Sequence, residues 1–125
     1  MTEYFGSCHC KEVRFSFFTD QILDDLYECN CTLCLKKAII MKPISKDNFV
    51  LQSGQNNLQI YQWNKKIAKH FFCNTCGINT HNQRRSDPNT FGINVGCLDG
   101  ISPKDLFELN VRVNDGQNHI KDRKL

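Results

Sequence analysis

Cys29, Cys31 and Cys34, in the stretch Glu28-Cys29-Asn30-Cys31-Thr32-Leu33-Cys34, put three thiols into six residues. Thiols this close converge either on one metal ion or on one another, and both outcomes restrict the backbone severely. Three is one short of the four ligands of a closed structural zinc site. It matches the number that catalytic zinc sites take from the protein, the fourth position being kept for water or substrate. The remaining cysteines decide which applies. They form a pair (Cys8, Cys10), a second pair (Cys73, Cys76) and a single residue, Cys97.

Eight cysteines in 125 residues could also be a disulfide framework. The start, Met1-Thr2-Glu3-Tyr4-Phe5-Gly6-Ser7, has neither a basic cluster nor an apolar run, so it does not read as a secretory signal. The expectation is a reducing compartment, the cytoplasm or the nucleus, where clustered cysteines bind metal. No apolar run approaches the length of a membrane span, so no membrane partner is expected. The formal charge of +3 is no argument for nucleic acid. Seven metal-bound thiolates and two Zn²⁺ would bring it to roughly zero, and the longest basic cluster, Lys121-Asp122-Arg123-Lys124, reads as a solvated tail.

The pairs carry their own geometry. Cys73-x-x-Cys76-Gly77 is a zinc-knuckle pattern, its glycine suited to the positive φ that follows the second ligand. Cys8-x-Cys10 is read as extended, with both thiols on one side. The economical partition closes one four-cysteine site from Cys8, Cys10, Cys73 and Cys76 and leaves the trio with an open position. Two others stand beside it: Cys8, Cys10, Cys29 and Cys31 in one site, or the trio closed by Cys97 or a histidine. His9 would point away from its neighbours. His70 lies in a strand, and His81 and His119 lie in polar surroundings; all four read as surface or packing residues. Cys97 reads as a small buried apolar residue.

The rest of the pattern is mainly β, and 125 residues suit one domain over 1–125. Val13, Phe15 and Phe17 alternate with polar residues as a strand with one buried face. Ala38–Met41 reads as a short strand stopped by Pro43, 44–47 as a loop, and Phe49–Leu51 as a strand ending near Gly54. Leu58–Trp63 alternates, Leu58 and Ile60 against Tyr61 and Trp63. Asn64-Lys65-Lys66 is a hairpin tip with a return strand to Phe72. Further strands are expected over 78–82, 91–95 and 111–113. One short helix near the C-terminus is expected to start at Ser102, with Pro103 at its first position.

Three blocks carry a resemblance: Gly6-Ser7-Cys8-His9-Cys10-x-x-Val13-x-Phe15, Cys29-x-Cys31-x-x-Cys34 and Phe72-Cys73-x-x-Cys76-Gly77. Together they resemble the glutathione-dependent formaldehyde-activating enzyme family. The stretches 29–37 and 87–93, with Cys97-Leu98-Asp99, look most like its animal centromere protein V branch. The resemblance implies a zinc-stabilised β-tent of short antiparallel strands. Cys8, Cys10, Cys73 and Cys76 would be structural zinc ligands, and Cys29, Cys31 and Cys34 would hold a second, functional zinc. It implies carbon–sulfur lyase chemistry: glutathione as co-substrate and a small aldehyde joined as S-(hydroxymethyl)glutathione, or the reverse. Many enzymatic relatives carry Arg directly after the third cysteine, where this chain has Leu35. Lys36, Lys37, Arg84 and Arg85 are the candidate carboxylate partners.

Two function classes follow: a zinc-dependent carbon–sulfur lyase, and a zinc-stabilised interaction module that keeps the fold without the chemistry. Methionine sulfoxide reduction on a similar zinc-held scaffold would need a reactive cysteine away from the metal. Cys97, with no cation beside it in its strand to lower its pKa, is poorly suited to that role.

Overall fold

The computed structural model describes residues 1–108 and 111–116. His119 and the basic tail lie outside them. Two sheets form the body. The first has three strands, β1 (Thr2–Ser7), β2 (Arg14–Thr19) and β5 (Phe49–Ser53), in the order β1-β2-β5. The second joins β3 (Tyr27–Cys29), β4 (Met41–Ser45), β6 (Leu58–Tyr61), β7 (Lys69–Cys73), β8 (Asn79–Gln83), β9 (Thr90–Asn94) and β10 (Arg112–Asn114) in the order β10-β3-β4-β9-β8-β7-β6. The mainly β class is as expected. Every neighbouring pair is antiparallel except β10 on β3, which is parallel.

The alternation of Val13, Phe15 and Phe17 does its work: all three are buried. Phe15 and Phe17 form the main core with Leu26, Ile44, Ile93, Val95 and Leu98. Burying side chains of this size stabilises by roughly 1.5–3 kcal/mol each. His81 is not in polar surroundings. It is buried among aromatics, stacked on Phe71 at 4.4 Å and packed on Phe49 at 4.5 Å. Burial holds its pKa down to about 3, so it is neutral near pH 7 and packs as an aromatic ring.

Several local expectations need correction. A helix, α1 (Thr32–Lys37), follows the trio, so the helix near the C-terminus, α2 (Pro103–Phe107), is not alone. α2 has the expected Ser102 cap, completed as a capping box by Asp105. Ala38 takes a left-handed conformation that ends α1, so the strand expected over 38–41 begins only at Met41. Pro43 lies within β4 and does not stop it. β4 pairs with β9 from Met41 to Ser45 but with β3 only at Met41, which leaves Pro43 on a side needing no N–H. Ile44 and Ser45, read as loop, are also strand. The Leu58–Tyr61 alternation does not become alternate burial, because β6 is a sheet edge where Ile60 and Tyr61 are both exposed.

Candidate functional site

The cysteines sort into two groups. Cys8, Cys10, Cys73 and Cys76 bring their sulfurs within 4.8 Å of one another, and so, separately, do Cys29, Cys31 and Cys34. The first group bridges the sheets. Cys8 and Cys10 lie in the β1–β2 connection, which is a turn and not the extended segment expected: the Lys11 N–H donates to the Cys8 carbonyl at 3.2 Å, with Lys11 at φ 67°. Cys73 ends β7, and Cys76 follows in the turn to β8, where Gly77 has φ 79° and its N–H donates to the Cys73 carbonyl at 2.8 Å. The backbone N–H groups of Val13 and Thr75 point at Cys8 Sγ and Cys73 Sγ, both at 3.4 Å. Four converging sulfurs with N–H donors behind them suit a closed tetrahedral zinc site.

The trio is built by one strand end and one helix start. Cys29 closes β3, Cys31 caps α1, and Cys34 lies in its first turn. Cys31 Sγ accepts from the Cys34 N–H at 3.3 Å, and Cys29 Sγ from the Cys31 N–H at 3.5 Å. Hydrogen bonds from the Cys29 and Cys34 thiols pull Cys31 down to about 2, while Cys29 is pushed up by its bond to Cys31, and Cys34 by its bonds to Cys29 and then to Cys31. No fourth side chain joins the group among the described residues. Cys97 lies elsewhere, its thiol 3.7 Å from the Asn79 carbonyl and its pKa raised to about 12, chiefly by burial. Among the described residues, which exclude His119, neither alternative partition of the ligands is formed.

The trio lines a cavity of about 430 Å³. Tyr27 and Met41 share its wall, the 63–68 hairpin tip forms a second side, and Gln83, Arg84 and Arg85 a third. Arg84 stacks on Tyr27 at 4.5 Å, and burial raises the Tyr27 hydroxyl to about 12, so it stays protonated. The C-terminal strand closes the remaining side. The Asn30 N–H donates to the Asn114 carbonyl at 3.2 Å, and Gly116 packs against the trio. Of the expected carboxylate partners, Arg84 and Arg85 line the cavity; Lys36 and Lys37 do not.

Sequence reasoning missed three contributors. The hairpin tip, Gly116 and His70 are all brought to the trio by long-range contacts. His70 lines the cavity, although it reads as an ordinary strand residue.

Comparison with known proteins settles the family. The model of the glutathione-dependent formaldehyde-activating enzymes matches residues 3–113. The chain belongs to this family. A crystal structure of a Rhodobacter sphaeroides protein is 36% identical, with a TM-score of 0.81 over 88% of this chain and 99% of that one. Membership in the formaldehyde-activating family agrees with a mainly β scaffold carrying two cysteine groups able to hold zinc.

Proposed function

We propose that this member of the family is a zinc-dependent carbon–sulfur lyase that joins a thiol, glutathione, to a small aldehyde and runs the reverse reaction. The observation that carries the proposal is the trio: three convergent thiols, without a fourth protein ligand among the described residues, on the wall of a cavity able to admit a small substrate. Cys8, Cys10, Cys73 and Cys76 would hold a structural Zn²⁺, and Cys29, Cys31 and Cys34 a second one. A Zn²⁺ held by three ligands supplies Lewis acidity and favours the thiolate form of an incoming thiol. The chain's own residues do the rest. Arg84 and Arg85, with the Lys65–Lys66 tip, give the cavity cationic walls that suit the two carboxylates of glutathione. Tyr27, packed with the trio and Met41 and with its hydroxyl against Gly92, adds an apolar ring to the wall. Holding thiol and aldehyde in one pocket adds proximity.

Within the family, the resemblance over 29–37 and 87–93 favours the animal centromere protein V branch. Leu35, 63% exposed, stands where enzymatic relatives carry Arg. The cavity arginines are the substitute that this reading assigns.

The test is exchange NMR of labelled formaldehyde with glutathione, with and without zinc-loaded protein. The expected result is faster interconversion with S-(hydroxymethyl)glutathione, abolished in Cys31→Ser while the fold persists. A Cys31→Ser variant as active as the parent would remove the trio from the reaction. A parent protein that leaves the rate at its spontaneous value would favour the interaction-module reading.

A further inference from the structure

One wall residue of the cavity is tied from behind in a way that the trio does not explain. His70 lines the cavity beside the cysteines, whereas Lys37, at the end of α1, does not. Lys37 Nζ nevertheless lies 3.0 Å from His70 Nδ1 and 3.5 Å from Asn79 Oδ1. The orientation of Asn79 is fixed, because its Nδ2 donates to the Phe71 carbonyl at 2.7 Å. Asn79 Oδ1 therefore faces Lys37 as an acceptor, as an ammonium requires. Asn79 Nδ2 also donates to Asn82 Oδ1 at 2.9 Å.

His70 Nδ1 receives two contacts that ask for opposite protonation. Lys37 at 3.0 Å asks for a bare nitrogen; Asn82 Oδ1 at 3.2 Å asks for an N–H. The lysine contact is shorter and charge-assisted, and Asn82 Oδ1 already has a donor in Asn79. Nδ1 is thus the acceptor, and the imidazole proton sits on Nε2, which has no other partner among the described residues. A histidine whose far nitrogen is pinned by a hydrogen bond has its tautomer set by that bond.

We infer that His70, held as the Nε2–H tautomer by Lys37, is the proton donor to the aldehyde oxygen when the carbon–sulfur bond forms at the trio. The inference rests on the carbon–sulfur reading given above. As the thiol sulfur attacks the carbonyl carbon, the C–S bond forms and the C=O π pair moves to oxygen. Oxygen takes the Nε2 proton, and Nδ1 draws one from the Lys37 ammonium, so no imidazolate arises. The proton given up by the thiol returns through solvent to Nε2 while Nδ1 hands its proton back to Lys37, so both groups regain their starting state and nothing is oxidised or reduced. In the reverse direction Nε2 first releases its proton to solvent as Nδ1 takes one from Lys37. Nε2 then accepts the hydroxyl proton as the sulfur leaves, and Nδ1 returns its proton to Lys37. Burial, and then the Lys37 charge, lowers His70 to about 4, which keeps the ring neutral and able to donate near pH 7. Buried Lys37, itself lowered by desolvation, gives up its proton more readily than an exposed lysine.

Two measurements on the zinc-loaded protein test this. The ¹⁵N imidazole spectrum should show His70 as Nε2–H in the parent. In Lys37→Met it should show Nδ1–H, because Asn82 Oδ1 then becomes the stronger partner. In the formaldehyde–glutathione assay, His70→Gln should lose about 10²-fold in kcat, with KM for glutathione within a few-fold and zinc content unchanged. Lys37→Met should fall in the same sense. An Nδ1–H parent, a tautomer indifferent to Lys37→Met, or an undiminished His70→Gln in an active background overturns the assignment alone. A parent with no activity overturns the carbon–sulfur reading and takes the role of His70 with it.

Discussion

Gly116 offers a sharp perturbation of the trio, since it touches the thiols without being a ligand. A Cβ there would lie 2.5 Å from Cys29 Sγ, 2.8 Å from Cys31 Cβ and 3.1 Å from the Cys31 nitrogen. Ordinary contacts between such atoms are about 3.5–4.0 Å, so Gly116→Ala overlaps Cys29 by roughly 1 Å. Inserting one methyl into a packed site costs about 1–3 kcal/mol. That strain can fall on the trio or on β10, which is held to β3 by three residue pairs and by the Asn30–Asn114 bond. The strain should fall on the trio, because Cys29 is itself the β3 partner of Asn114 and Cys31 follows Asn30, whose N–H donates to the Asn114 carbonyl. The affinity for the second zinc should then fall by about 5- to 150-fold, at about 1.4 kcal/mol per decade. Competition with a chromophoric chelator reads this directly, with the four-cysteine site as internal reference. An unchanged affinity of the second site would mean that Gly116 does not shape it. Equal weakening of both sites would mean global destabilisation instead.

The other predictions concern the scaffold and pH. Cys73→Ser should leave the chain unfolded at 25 °C, by circular dichroism and NMR dispersion. Structural zinc in small peptides is worth about 10–16 kcal/mol, as much as a whole domain's stability. A folded variant with a parental Tm would contradict that. Gly54→Ala should destabilise by about 1–3 kcal/mol in urea, since at φ +87° its Cβ would meet the Glu12 carbonyl oxygen at 2.4 Å; a change within error would refute it. His81, depressed to about 3 when folded, binds fewer protons than its unfolded counterpart near 6.5. Stability should therefore fall as pH drops from about 6.5 toward 3, by up to about 1.4 kcal/mol per pH unit from this residue. His81→Phe should flatten that part of the urea-derived profile relative to the parent, zinc release being common to both; parallel profiles would show that His81 contributes nothing.

Spacing carried most of what the sequence disclosed. Cys73-x-x-Cys76-Gly77 and the trio are local patterns, and the chain folds them as local units. The Phe15/Phe17 strand was legible because its period-two alternation puts both rings in one core. The other face is not open as expected: Ser16 is buried too, and its hydroxyl accepts from Gln52. What stayed hidden depends on contacts far along the chain. Thr32–Lys37 is too short to show a helical period and forms behind a cysteine cap. β1 shows little alternation, because Phe5 is exposed and Gly6 is the buried residue. His81 reads as polar in Thr80-His81-Asn82, yet Phe49, Phe71 and Phe91 surround it. The pairing of Lys37 with His70, 33 positions apart, and the approach of Gly116 to Cys29 leave no trace in local composition.

Cadmium-113 NMR of the protein loaded with two equivalents of cadmium bears most directly on the division of labour among the thiols. Two resonances are predicted, one in the range of four sulfur ligands and one in that of three, and added glutathione should move only the second toward the four-sulfur range. Two four-sulfur resonances before glutathione is added, or a second resonance that ignores it, would contradict an open trio built to receive a thiol.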